Sequence, residues 1–319
     1  MVELGRRTRG LMTAAAPAVA STASIQLKFQ IGARTVAAVP RRLVRVALSL
    51  DDVLRDCPVS LPPLPPDAQG YAITSLPVSR IGEIRAGGLL TFVRQRYVRY
   101  HTDLTIGAEA WLATLSGSAR SGLKRKTKKL AALSGGTLDV RAYRTAAEFA
   151  MFHPLARAVS ATTYQEALLG SGLPDGTGAM DRFQALAAED RLRAWLLFVE
   201  DRPVAYLCCI SDGDTLRYDH VGHDPAYNAL SPGAVLQVEA MRALFADRFA
   251  RFDFTEGEGQ HKRQFATAGT ACVDLLLLRP TLANRTIIAS LGAFDGAAGW
   301  AKQTLSHPRL VRVLRAVRR

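Results

Sequence analysis

The chain has 319 residues, and 41 Lys+Arg against 28 Asp+Glu leave a formal charge of +13 and a pI near 10.1. Hydrophobic residues at 48% and charged residues at 22% suit a packed core and exclude wholesale disorder, a collagen-like chain or a disulfide scaffold. The length allows one large domain or two ordinary ones, and the basic balance implies an anionic partner: nucleic acid, anionic lipid or a phosphate-bearing small molecule. None of Cys57, Cys208, Cys209 and Cys272 forms a C-x-x-C pair, so a zinc knuckle is not expected, and the cysteines read as small buried residues of a reducing compartment.

Residues 1–24 hold three arginines and an Ala-rich run broken by Pro17, which reads as a disordered leader rather than a signal peptide. Residues 25–106 read as a β-rich region: two short strands over 25–50, a rigid proline-rich connection at 60–70, then further strand character to about residue 106. The segment 107–136 predicts one long helix with Trp111, Leu112, Leu115, Leu123 and Leu130 as its apolar positions, stopped by Gly135-Gly136. A strand at LDVRAYR follows, then a helix interrupted by Pro154 and another at MDRFQALAAED. Turn residues separate LRAWLLFVE, PVAYLCCIS and DTLRYDHVGH into a three-strand meander. Ser231 as N-cap and Pro232 at the first position predict a helix to about Ala246, followed by the strand RFDFTE, a loop, and the buried strand ACVDLLLLRP. This order gives a mixed α/β (α+β) domain, neither bundle nor sandwich.

Four stretches can carry chemistry. The SPGAV helix start offers free amides and a partial positive charge to a phosphate. DFTEGEGQHKRQF places Asp253, Glu258, His261 and Lys262 just after a strand, where a carboxylate or imidazole can take a proton from an attacking amine or hydroxyl. ARSGLKRKTKKL carries Arg120, Lys124, Arg125, Lys126, Lys128 and Lys129 with no acid, either a solvated face or a surface for phosphate or anionic membrane. Residues 281–319 read as a basic amphipathic tail, with Leu310, Val313, Leu314 and Val317 ringed by arginines, able to lie on an anionic membrane or on the protein itself. His220 and His223 in DHVGHDP lack a well-spaced third ligand, and no metal is expected.

In order, RSGLKRKTKKL, WLLFVEDRPVAY, YDHVGHDPAYNALSPG and FDFTEGEGQHKRQF resemble the GNAT-type acyltransferases. The likeness is to the cellulose- and exopolysaccharide-biosynthesis (CelD-like) group, related to the Fem-type aminoacyltransferases and bacterial ceramide synthases. It covers residues 107–280 and implies a GNAT-like splayed central sheet with an acyl-CoA thioester in the opening, flanked by helices. By that resemblance the CoA pyrophosphate sits at Ser231, Gly233, Ala234 and Val235, with Lys124 and Arg125 nearby. Glu258 is then the preferred base with His261 as rival or partner, Lys262 holds a phosphate or polarises the carbonyl, and Tyr218 protonates the departing thiolate. Tyr164, Gln165 and Asp253 are candidates for the acceptor site.

S-P-G stands where the family's glycine-rich loop is usual, which keeps aminoacyl-tRNA open as the donor. The leading expectation is an acyl-CoA-dependent acyltransferase acting on an amine or hydroxyl acceptor, with a long-chain lipid amine such as a sphingoid base slightly ahead of a polysaccharide. The place expected for it is the cytoplasm, peripheral on a membrane. A nucleic-acid-binding protein is the non-enzyme alternative, supported by charge but by no recognised motif; a catalytically inactive scaffold is the third.

Overall fold

The computed structural model describes residues 20–31, 34–55, 59–84, 86–163, 166, 172–257 and 259–305. Strands β1 (Ala20–Ile31) and β2 (Arg34–Ala47) form a long antiparallel hairpin, so the strand begins inside the stretch read as a leader; residues 1–19 lie outside the described residues. Helix α1 (Leu50–Leu54) starts at a reciprocal cap between Ser49 and Asp52. Strands β3 (Gly70–Pro77) and β4 (Leu90–Asp103) follow the proline-rich connection.

The segment read as one long helix is two, α2 (Ala108–Thr114) and α3 (Gly117–Ala132). Leu115 adopts an extended backbone and is buried, and the Ser116 hydroxyl accepts from the Ala119 amide, so a fresh N-cap starts where apolar periodicity alone showed no break. After β5 (Asp139–Tyr143) comes α4 (Ala146–Ser160), opened by a Thr145–Glu148 capping box and continuous through Pro154, contrary to the expected interruption. Eight preceding helical residues and the buried Phe149, Phe152 and Ala156 hold this helix together across one lost backbone bond. Helix α5 (Thr177–Ala188) packs beside it.

The expected meander is present as β6 (Leu192–Val199), β7 (Arg202–Asp212) and β8 (Thr215–His223). Glu200 and Asp201 both take positive φ (50° and 60°) in the two-residue turn between β6 and β7, the twist that suits a tight hairpin. Helix α6 (Pro232–Leu244) crosses back to β9 (Arg251–Asp253), and α7 (Gln260–Phe265), β10 (Ala268–Leu278) and α8 (Leu282–Leu305) complete the order. Residues 306–319, which carry the expected basic helix, lie outside the described residues.

All ten strands join one sheet in the order β1-β2-β3-β10-β4-β9-β8-β7-β6-β5. Strand β4 lies between β10 and β9, so the N-terminal β-rich region shares its sheet with the segment that follows it. One face packs on α6 through Val235, Leu236, Met241 and Phe252; the other packs on α4 and α5 through Phe149, Phe152, Phe183 and Tyr206. Each such large apolar side chain contributes about 1.5–3 kcal/mol by leaving water. The architecture is a mixed α/β fold with a GNAT-like open sheet flanked by helices.

Candidate active site

The sheet opens where β8 and β9 part. They pair in parallel only at Thr215–Arg217 against Arg251–Asp253; β8 then runs on to His223, while Phe254 donates to the Tyr100 carbonyl and follows β4 instead. Beyond Arg217 the two strands have no ladder between them. Tyr218 stands at this opening, its ring 5.9 Å from those of Phe252 and Phe254 and 5.8 Å from that of His261. Burial pushes its phenol well above the ordinary range, so it holds its proton at neutral pH.

A bulge next to Tyr218 re-aims the strand. Cys208 opposes His220 and Cys209 opposes Tyr218, which leaves Asp219 as the extra residue. One Asp219 oxygen takes an ion pair from Arg217 at 3.1 Å; the other is buried with no hydrogen-bond partner among the described residues. Burial, eased mainly by the Arg217 charge, raises this carboxyl to about 6. Its strand neighbour His220 lies edge-on to Phe183 under α5, and burial lowers it to about 4. His223 instead shares a hydrogen bond with Asn228, and no cluster of three metal-ligating side chains occurs among the described residues.

Helix α7 is held by its last residue: the Phe265 carbonyl accepts from Trp111 Nε1 and Thr102 Oγ1, both at 2.8 Å. This sets His261 over Tyr218, and desolvation together with the Lys262 charge keeps its imidazole below the usual histidine range, neutral at pH 7. Lys262 is buried and donates to the Glu256 carbonyl at 2.6 Å, which ties the loop after β9 to α7. Glu258 lies outside the described residues, as do Tyr164 and Gln165. Asp253 is fully buried and gripped by the Arg99 guanidinium through Nε (3.2 Å) and Nη2 (2.6 Å), with the Thr255 amide on Oδ1, so its carboxylate is taken up inside the sheet.

At the mouth of the opening, α6 presents its N-terminus. Ser231 takes the N-cap position as expected but makes no side-chain cap bond: its backbone is left-handed (φ 48°), and its hydroxyl accepts from Lys126 Nζ at 2.8 Å instead. Its carbonyl accepts the Ala234 and Val235 amides, Pro232 has none, and the Gly233 amide is left without a partner among the described residues. A Cβ on Gly233 would lie 3.5 Å from the His223 ring, so this backbone sits against the end of β8. Lys126 thus adds an ammonium to the positive end of a 13-residue helix. Lys124 lines a separate groove between α3 and α6, and Arg125 is solvent-exposed.

The structure therefore gathers Tyr218 and His261 at one opening, with Ser231 and Gly233 at its mouth. It adds two residues the sequence reading did not select. Lys126 was one cation in a run of six, and only its contact with α6 separates it from the others. Asp219 carries no local signal in the sequence, because the bulge that sets it apart depends on pairing with β7.

Residues 117–263 match the family described as acetyltransferase (GNAT) domain. No curated protein matches the sequence. Among solved structures, FemX is similar over 84% of this chain and 90% of its own, at 8% identity and a TM-score of 0.50. L-PGS from Bacillus licheniformis covers 70% of this chain and 72% of its own at 12% identity and a TM-score of 0.45. A GCN5-related N-acetyltransferase from Kribbella flavida covers 68% and 71% at 12% identity and 0.37. Residues 117–263 are thus similar to a GNAT-type acetyltransferase domain, and the fold is similar to that of FemX.

Proposed function

We propose that this protein is an acyl-CoA-dependent acyltransferase that acylates an amine. The observation that carries the reading is the convergence of Lys126 and the open Gly233 amide at the start of α6, beside the gap between β8 and β9. A helix N-terminus reinforced by an ammonium suits a pyrophosphate, and the gap leads from it toward Tyr218 and His261. The thioester lies in that gap. The acceptor nitrogen attacks the thioester carbonyl, a C–N bond forms as the C–S bond breaks, and the thiolate leaves with a proton from Tyr218. His261, being neutral, takes the proton lost by the attacking amine, with Glu258 three residues away as its partner or rival. Asp219, with one buried oxygen unpaired, draws the acceptor ammonium into the gap and takes its first proton, so that the neutral amine attacks and gives its second proton to His261. No covalent enzyme intermediate is needed.

The test is thermal stability of the full chain with free CoA, acetyl-CoA, palmitoyl-CoA and a short RNA, since a ligand that binds only the folded state raises Tm by mass action. Stabilisation by the CoA compounds supports this reading, and a preference for palmitoyl-CoA supports a lipid acceptor pathway. Stabilisation by RNA alone overturns it in favour of an aminoacyl-tRNA donor, a reading that fits the FemX-like fold.

A further inference from the structure

Between α2, α3 and α6 lies a groove of about 770 Å³. Its floor includes Leu112, Leu123 and Val238, and its rim carries Arg120, Lys124 and Lys128 from successive turns of α3. Helix α3 has six cations and no acidic residue over Gly117–Ala132. None of Lys124, Arg125, Lys128 and Lys129 makes an ion pair with a described residue, although arginines elsewhere in the molecule are extensively paired. The acids of the groove are Glu109 and Glu239, and Glu239 is already engaged by Arg242 at 3.3 Å. An apolar trough beneath an uncompensated cationic rim matches a molecule with an acyl chain and a phosphate.

We propose that this face docks on anionic phospholipid: a headgroup phosphate meets Lys124 and Lys128, and an acyl chain lies on Leu112, Leu123 and Val238. The volume falls within the roughly 300–1,000 Å³ of small-molecule sites. Single-stranded RNA would need aromatic platforms for its bases, and no aromatic side chain lines the groove. Because Lys126 on the same helix reaches the mouth of the catalytic gap, docking through α3 holds that mouth close to the lipid surface. The inference does not depend on the acyl donor proposed above.

The experiment is vesicle sedimentation of the full chain at ~0.1 M salt, where surface charge is only partly screened, with phosphatidylcholine vesicles containing or lacking phosphatidylglycerol. The wild type binds the anionic vesicles, more weakly as salt rises, and ignores the neutral ones. Each cation near such a surface multiplies affinity about fivefold, so Lys124→Glu with Lys128→Glu weakens binding by about 25-fold or more while the near-UV CD spectrum is unchanged. Ala113→Asn, an exposed change on the groove floor that keeps every charge, weakens it several-fold. Equal binding to neutral vesicles, or binding that survives the double reversal through the basic C-terminus, overturns the proposal. So does a wild type that ignores anionic vesicles but binds a short RNA through these lysines.

Discussion

Asp219→Asn should make the protein more stable at neutral pH and less active. The carboxyl stands at about 6 in the fold against an ordinary 3.8, and its side chain is only 16% exposed. A folded-state value raised by that much means that ionised Asp219 weakens the fold by about 3 kcal/mol once pH exceeds both values. The contribution is absent below pH ~4, grows between pH ~4 and about 6, and is constant above that. An asparagine has no charge to desolvate, and the raised value already includes the attraction of the partly exposed Arg217, so losing that ion pair subtracts nothing further. The net gain at pH 7 is therefore about 3 kcal/mol, or roughly 4–5 °C in Tm for a chain of 319 residues at about 2.1 cal/mol/K of unfolding entropy per residue. Thermal unfolding of both proteins between pH 3 and 8 should show coincident Tm values at the acid end and a gap that opens between pH ~4 and about 6 and widens no further above that. A gap of constant size, or a destabilised variant at pH 7, would refute the claim that an unneutralised charge is stored at the bulge. Amine acylation measured in parallel should fall, because the same charge is what an acceptor ammonium would neutralise.

Three further outcomes are expected. Lys126→Glu places a carboxylate beside the Gly233 amide and should abolish the Tm increase given by CoA while leaving Tm without ligand within about 2 °C, as for most surface substitutions. Asp253→Ala leaves the Arg99 guanidinium buried and uncompensated and should cost about 3–5 kcal/mol, read by urea unfolding; an effect below 1 kcal/mol would mean water reaches the pair. Tyr218→Phe keeps the ring contacts with Phe252, Phe254 and His261 and should reduce kcat about tenfold or more with little change in CoA affinity, separable by steady-state kinetics and calorimetry.

What could be read from the sequence were the features written locally. The β6–β8 meander announced itself through its turn residues, and α6 through Ser231-Pro232. The capping box at Thr145 and Glu148 is an equally local signal, and it prevailed over Pro154 because the helix buries one whole face. The break at Leu115–Ser116 escaped because Leu112, Leu115 and Leu123 satisfy helical spacing on either side of it. The gap between β8 and β9 arises from a strand of three residues, β9, whose neighbours β4 and β8 come from distant parts of the chain. No periodicity in RFDFTE reveals that. The same holds for Asp253, which looks like a site carboxylate beside His261 until its partner Arg99, 154 positions away, is brought under it.

The position of β4 also has a consequence for synthesis. Its two partners, β9 and β10, emerge about 150 and 170 residues after it, roughly 7–34 s at ribosomal speeds of 5–20 residues per second. During that interval a 14-residue strand has both edges open, while β5–β8 can already form their meander. Strand β10 is the piece that zips β3 and β4 together, so the sheet closes only after Leu278 has been made. A nascent chain stalled before Ala268 therefore exposes a long unpaired edge, a template for aggregation, which the arginines at positions 94, 96 and 99 on that strand oppose by charge repulsion.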